Sequence, residues 1–340
     1  MALAGAPNDL ARMPSLKAAF HSSQNWFRLR SEELVRVRLL SPKGHYPSGR
    51  VTLPSGFYHV EESIGILVTK GYSWHHYIEN CGFDEFESPF PQESIFMGSM
   101  ILCEKPDEPC VSMYPVHHPT FLLDPGTVDI GDKASQDSIL DLIKDTSNWP
   151  VSQLFRDGYK NYFSEQFNLF DSTSIDFSRL EKTWRLVDPS NFVLLRGLVA
   201  LMKSDMLAAH REFGSEALMS LYISLECSFQ LVIEHLRNLG IVNPTATTAA
   251  RWMHDTFDHH FNWEEPDASY KYFQEVYEGR VVMFHPRSRF GDHPFAPNFW
   301  DDVVDLRRAL PGVFAYLIHG EHSEAFLKSV AEFQLNESAS

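Results

Sequence analysis

The sequence of 340 residues is poor in cysteine, has fewer basic than acidic residues, and contains no long hydrophobic run. Its four cysteines, Cys81, Cys103, Cys110 and Cys227, are too few and too scattered for a disulfide framework. No two of them have the CxxC spacing of a metal site. Free thiols are the normal state in a reducing cytoplasm, so the cysteine usage favours an intracellular protein.

No segment of the sequence predicts export or membrane insertion. The N-terminus carries Asp9 and lacks a sustained apolar stretch, so it does not match a signal peptide. The most apolar run, Phe192 to Met202, is interrupted by Arg196 and is shorter than the roughly 20 residues that cross a bilayer. We therefore expect a soluble, cytoplasmic protein with no membrane partner.

The charge balance argues against a surface that binds nucleic acid everywhere. The chain has 45 acidic and 29 basic residues, a formal charge of −16, and the acidic excess is spread over both halves. Such a protein repels phosphate backbones at long range. Any nucleic acid must therefore be bound by a local basic patch, or by a cleft that a tether or a second subunit helps to form. Gly-rich phosphate loops and G-x-S-x-G elbows are absent from the sequence.

Residues 1–134 are predicted to form a β-rich domain. The alternation of apolar and basic residues from Leu34 to Leu39 is typical of a half-exposed strand. Arg36 and Arg38 could contact phosphate from that strand, although a solvated strand face is the simpler interpretation. Further strands are predicted at 65–69 and 95–102, and 53–56 is a turn motif.

From Ser135 onward the periodicity predicts helices. Residues 135–189 form a helical connector, and residues 190–340 form an all-α bundle that begins with Ser190 as its first N-cap. The bundle is predicted to contain five helices with short connections, at about 192–206, 218–236, 246–260, 270–284 and 298–319. The predicted fold class is α+β, a β-rich N-terminal domain followed by a helical bundle.

The segment from Arg280 to His285 is the best candidate for the functional site. Pro286 disfavours a helical conformation at the residue before it, so the fourth helix should stop near Phe284. His285 can then turn back towards Arg280. Arg280 lies close to the apolar stripe of this helix, where a guanidinium needs a carboxylate or a bound phosphate as partner.

The helical half resembles the HEPN superfamily, and most closely its Apea-like branch. The resemblance covers about residues 190–320 and rests on Arg280 and His285, which match the Arg-x4–6-His motif late in a helix after an apolar helix pair. Glu226 in the second helix matches a common acidic position. The resemblance implies a metal-independent ribonuclease without a cofactor, which commonly acts as a homodimer. Members with this layout often act as toxins or in antiviral defence.

The implied chemistry suits RNA. His285, with an ordinary pKa of about 6.5, can remove the 2′-hydroxyl proton, and Arg280 can stabilise the charged phosphorane. Arg287 and Arg289 add local positive charge for RNA binding, or else belong to a solvated loop. The Arg–His spacing alone is not specific, because Arg38/His45 and Arg287/His293 also have it. Its position at a helix end singles out Arg280.

Three other interpretations stay open. Arg280 could be structural and pair with Glu226 or Glu278, or the bundle could be a non-enzymatic module that binds a nucleotide or a protein. The third is a metal-dependent hydrolase built on residues 254–260, where His254/Asp258 and Asp255/His259 are spaced i, i+4. A polar helix end is the simpler explanation of that cluster, and we predict no metal site.

Overall fold

The computed structural model describes residues 33–78, 89–105, 111–145, 166–170, 175–261, 275–277 and 300–339. The chain divides into two compact units. The first, called the sheet unit, comprises Met1–Pro42, Tyr46–Ser94 and Pro115–Leu169. The second, called the helical unit, comprises Lys43–His45, Ile95–Tyr114 and Phe170–Ser340. The predicted fold class, α+β, is confirmed. The predicted boundaries at 134/135 and 189/190 stay a prediction.

The described part of the chain contains strands, α-helices and 3₁₀ turns. The strands are β1 Leu34–Leu40, β2 His45–Pro47, β3 Gly49–Leu53, β4 Gly56–Glu61, β5 Ile64–Gly71, β6 Pro115–Leu123 and β7 Asn168–Phe170. The α-helices are α1 Trp74–Tyr77, α2 Pro91–Leu102, α3 Lys133–Asp145, α4 Phe177–Leu186, α5 Phe192–Ala208, α6 Gly214–Asn238, α7 Ala246–Thr256, α8 Trp300–His319 and α9 Glu324–Ala339. Arg211–Phe213 and Asp258–Phe261 form 3₁₀ turns.

The sheet unit is built on a five-stranded antiparallel sheet in the order β3-β4-β5-β1-β6. β1 lies between β5 and β6, and Val37 is opposite both Val68 and Phe121. The predicted turn at 53–56 joins β3 to β4, and the strand predicted at 65–69 lies within β5. β2 and β7 form a separate two-stranded sheet.

The strand predicted from Leu34 to Leu39 forms as β1, but the prediction that it is half-exposed is wrong. All seven residues of β1 are buried, including Arg36 at 0% and Arg38 at 1% exposed. Arg36 and Arg38 lie on the same face because side chains alternate along a strand. Both guanidinium Nε atoms lie near Glu93 Oε1, at 3.3 and 3.0 Å. The basic residues of β1 therefore face a buried carboxylate and not solvent.

The strand predicted at 95–102 is also wrong, because these residues belong to helix α2. Its described residues are buried all round except Gln92, so no polar stripe marks the helical period. Pro91 begins the helix, and Glu93 Oε2 accepts a hydrogen bond of 2.7 Å from the Phe90 backbone N–H. Proline at the first helical position and Glu at the third are both typical of a helix start.

In the helical unit, α5 and α6 form an antiparallel hairpin. The Ser224 hydroxyl donates a 3.0 Å hydrogen bond to the Gly197 carbonyl, and these residues are about equally far from the connecting turn. A Cβ on Gly197 would come 2.7 Å from the ring of Phe314, so only glycine permits this approach of α8. The N-cap of α5 is Asn191, one residue after the predicted Ser190.

The predicted end of α6 is confirmed. Gly240 has φ +87°, and the next residue, Ile241, donates its backbone N–H to the Leu236 carbonyl, as in a glycine-terminated helix. The stretch Arg211–Asn238 is long and apolar enough to cross a membrane, but 61% of its most apolar window is buried inside the protein. That burial is typical of the core helix of a soluble protein.

The last three predicted helices, at 246–260, 270–284 and 298–319, agree with the structure to different extents. α7 begins at a capping box formed by Thr245 and Thr248 and ends at Thr256, and α8 covers the fifth predicted helix. Of the fourth predicted helix the structure describes residues 275–277, which are helical. α9 was not predicted, because the fifth and last helix predicted for the bundle of residues 190–340 ends at His319.

Candidate functional site

Four of the five predicted site residues lie outside the described residues: Arg280, His285, Arg287 and Arg289. Their proposed roles stay predictions. The fifth, Glu226, lies in the middle of α6 and is half-buried. A structural ion pair of Arg280 with Glu226 or with Glu278 likewise stays a prediction.

A ring contact attaches the described part of the fourth predicted helix to α6. The rings of Tyr277 and Phe229 are stacked, with centroids 4.4 Å apart and planes inclined by 20°. Phe229 follows Glu226 by three residues, so both lie on neighbouring positions of one helix face. Tyr277 precedes Arg280 by three residues in the sequence. The chain therefore approaches α6 beside Glu226 just before it reaches the predicted motif.

The histidine cluster near the end of α7 differs from the predicted metal-like geometry. Because α7 ends at Thr256, Asp258 lies in the 3₁₀ turn and not one helical turn after His254. His254 is 2% exposed, and its Nδ1 lies 3.1 Å from Asp255 Oδ1. Within the described ranges, no group of three His, Cys, Asp or Glu side chains is arranged to hold a metal ion.

Burial is the largest influence on the Asp258 carboxyl of this cluster. Burial raises the pKa of Asp258 to about 6, and the neighbouring His254 opposes that rise. The other ring nitrogen of His254, Nε2, is buried and has no hydrogen-bond partner among the described residues. The observed arrangement fits the polar helix end that the sequence favoured.

Sequence reasoning missed a buried charge cluster, formed by Arg307 on α8, Asp205 on α5 and Glu104 just after α2. Arg307 Nε and Nη2 donate to the Asp205 carboxylate at 2.7 and 3.0 Å, while Nη1 and Nη2 donate to the Glu104 carboxylate at 3.0 and 2.8 Å. Nη2 also donates to the Val111 carbonyl. The three residues are far apart in sequence, so no local pattern could have identified them.

The Arg307 cluster has the character of a structural ion pair. Its side chain is 8% exposed and both carboxylates are 10% exposed. Burial raises the pKa of Glu104 and of Asp205, while the charge of Arg307 acts in the opposite direction. All three guanidinium nitrogens already donate to protein oxygens. Arg307 is therefore not arranged to bind a phosphate.

A second buried chain of polar groups joins Cys103, Thr183 and His319. The Thr183 hydroxyl donates to the Arg179 carbonyl at 2.9 Å, so it must accept its 2.9 Å hydrogen bond from His319 Nε2. Cys103 Sγ lies 3.4 Å from the same oxygen. Burial raises the pKa of Cys103 to about 12 and lowers the pKa of His319 to about 4. Cys103 is thus a protonated thiol at neutral pH and not a nucleophile.

Comparison with known proteins gives no independent assignment. No protein-family model matches the chain, and no curated protein and no solved structure is significantly similar to it. The resemblance to the HEPN superfamily therefore rests on the quoted residues alone.

Proposed function

We propose that this protein is a metal-independent endoribonuclease of HEPN type, in which Arg280 and His285 are the catalytic residues. Glu226 supports the site, and Arg287 and Arg289 bind RNA. We further propose that it acts in the cytoplasm as a homodimer, as a toxin or an antiviral defence effector whose N-terminal part gates the nuclease.

The stacking of Tyr277 on Phe229 is the observation that carries this proposal. It joins the sequence just before Arg280 to the face of α6 on which Glu226 lies. The α5–α6 hairpin supplies the apolar helix pair that the resemblance requires before the motif. Among the described residues, Cys103 and Cys227 are free and buried, which accords with a reducing compartment.

The proposed reaction needs one base and one cation. His285 takes the proton of a ribose 2′-hydroxyl, and the 2′-oxygen attacks the adjacent phosphorus. Arg280 stabilises the negative charge of the phosphorane, after which the P–O5′ bond breaks. The 5′-oxygen takes up a proton, so the products are a 2′,3′-cyclic phosphate end and a 5′-hydroxyl end.

The test compares wild type with His285→Ala, Arg280→Ala and Arg280→Lys on mixed RNA in the presence of EDTA. We expect wild type to cleave and to leave cyclic-phosphate ends, identified by mass spectrometry. Loss of the base or of the guanidinium should lower the rate by at least roughly 10²-fold. Arg280→Lys should also be impaired, because an ammonium cannot contact two phosphate oxygens in the same way.

The matched control is Arg237→Ala, which removes an exposed arginine from the same helical unit and should leave the rate unchanged. Cleavage that EDTA abolishes would favour the metal-dependent hydrolase. Absence of cleavage by folded wild type, together with RNA or nucleotide binding, would favour the non-enzymatic module.

The stacked ring pair offers a separate test of the site's position. Tyr277→Phe keeps the ring and should retain activity, whereas Tyr277→Ala removes the contact with Phe229 and should lower kcat. Equal activity of both variants would show that the stack does not position the site. Circular dichroism would show whether the variants keep the helical content of wild type.

A further inference from the structure

The last helix, α9, is held by a small number of aromatic rings. Phe326 lies 6.0 Å from Phe257 and 5.8 Å from Phe261, and Phe333 lies 5.5 Å from Phe261, each measured between ring centroids. Among the described side chains of α9, only Val330 is buried, at 9% exposed. A helix with so little buried apolar surface has a small free energy of docking, so single contacts decide whether it stays in place.

His322 lies at the centre of these contacts. Its ring stacks on Phe326 at 4.1 Å with an angle of 13°, and it meets the edges of Phe257 at 5.3 Å and His260 at 5.6 Å. Tyr316 of α8 lies 4.8 Å away. We call His322, Phe326, Phe257 and His260 the histidine seat, because together they fix the start of α9 to the 258–261 turn.

The surroundings of His322 disfavour a charge on its ring. Burial lowers the pKa of His322, and the neighbouring His260 and Arg179 lower it further, while a hydrogen bond with the Thr256 backbone raises it. Asp258 begins the same turn, and burial raises its pKa to about 6. Glu321 is engaged by Lys182 at 2.8 Å, and His319 is kept neutral because its own pKa is about 4.

We propose that protonation of His322 releases α9 from the histidine seat, so that the C-terminal helix undocks at mildly acidic pH. A charged ring at this position would lie between Phe326 at 4.1 Å and a second imidazole ring, His260, at 5.6 Å. Release of α9 would expose Phe257 and Phe261, which immediately precede the part of the chain that leads to Arg280. This inference is independent of the proposed ribonuclease activity.

The direction in which the pKa of His322 is shifted sets the pH range in which α9 undocks. An unfolded histidine has a pKa of about 6.5, and His322 has a lower pKa while α9 is docked. Docking is therefore fully stable above about pH 6.5 and weakens as the pH falls through the lowered pKa. The docking constant should fall by at most roughly tenfold for each pKa unit that separates the docked and released states.

The test is hydrogen exchange of the full chain at pH 7.5 and pH 5.0, read by mass spectrometry and corrected for intrinsic exchange rates. We expect peptides from 324–339 to lose protection at pH 5.0, while peptides from α6 keep theirs. His322→Phe retains a stackable ring that cannot titrate, so its α9 should stay protected at both pH values. His322→Ala should leave α9 weakly protected at both.

The matched control is His210→Phe. His210 also contacts a phenylalanine ring edge-on, at 6.0 Å from Phe213, but it lies far from α9 in sequence and outside the seat. This variant should show the same pH response as wild type. The proposal is overturned if α9 of wild type is equally protected at both pH values, or if His322→Phe loses protection at pH 5.0 as wild type does.

Discussion

Both units bury arginine, but they balance its charge in opposite ways. In the sheet unit, Arg36 and Arg38 both approach the carboxylate of Glu93, and the Arg36 guanidinium lies 3.6 Å from the centre of the Phe90 ring. In the helical unit, Arg307 lies between the two carboxylates of Glu104 and Asp205. In the first cluster two cations approach one carboxylate, and in the second two carboxylates approach one cation.

The difference decides which substitution each cluster can tolerate. A carboxylate that loses its partner can take up a proton, because burial has already raised its pKa. A guanidinium cannot lose its charge in this way, because it stays protonated at every pH at which proteins are normally studied. Arg36 and Arg38 make further contacts besides Glu93, but Glu93 is the carboxylate that both approach. The sheet unit should therefore be the more sensitive of the two to loss of a single charge.

The largest effect is expected for Glu93→Gln. The substitution keeps an acceptor for the Phe90 N–H but removes the negative charge between two buried guanidinium groups, at a cost of roughly 3–5 kcal/mol. Hydrogen exchange of peptides from β1 would measure the loss within the sheet unit. Glu61→Gln is the control, because Glu61 pairs with Lys144 at the surface. A loss no greater than that of the control would contradict the role of Glu93.

A smaller and pH-dependent effect is expected for Arg307→Met. At pH 7.5 it leaves two buried carboxylates without a cation and should cost about 3 kcal/mol. With their pKa values raised by burial and no guanidinium opposing, both acids take up protons as the pH falls, so the deficit should shrink at pH 5.0. Urea unfolding of wild type and variant at both pH values would measure this. An equal deficit at the two pH values would disprove the proposed relief by protonation.

The smallest effect is expected for Asp205→Asn. It removes one of two carboxylates, leaves Arg307 paired with Glu104, and keeps an oxygen that can accept from Nε, so it should cost only about 1 kcal/mol. Arg185→Ala is the reference for an exposed pair, since Arg185 and Glu181 are both more than half exposed, and it should have no measurable effect. If Asp205→Asn lowers the free energy of unfolding as much as Arg307→Met does, Glu104 cannot serve as the partner of Arg307 without Asp205.

The described helices show which structural features local sequence patterns can predict. The apolar period of α6 and the glycine after it predicted that helix and its end, because both signals are local. The eight apolar and small residues at 95–102 did not reveal α2, since a helix buried on all sides has no polar face. Pro91 and Glu93 were the signals that could have identified it as a helix.

The sequence could predict the candidate site only as a motif and its position along the chain. Arg280 and His285 were chosen from spacing, Pro286 and the apolar stripe, and those features say nothing of the groups that surround them in space. Tyr277 and Phe229 show why: residues 48 positions apart in the sequence stack ring on ring. For the same reason the sequence did not reveal the cluster around Arg307. Its two partners come from segments about one hundred and two hundred residues earlier.

The sequence by itself determined β1, β5 and most of the helices after residue 190, because period, caps and turn residues act over a few neighbouring positions. Tertiary structure alone decided what those elements bury. Arg36 and Arg38 alternate with apolar residues as exposed side chains do, yet they lie in the core because α2 brings Glu93 to them. A buried charge depends on a partner supplied by another element, and that pairing is a property of the folded chain.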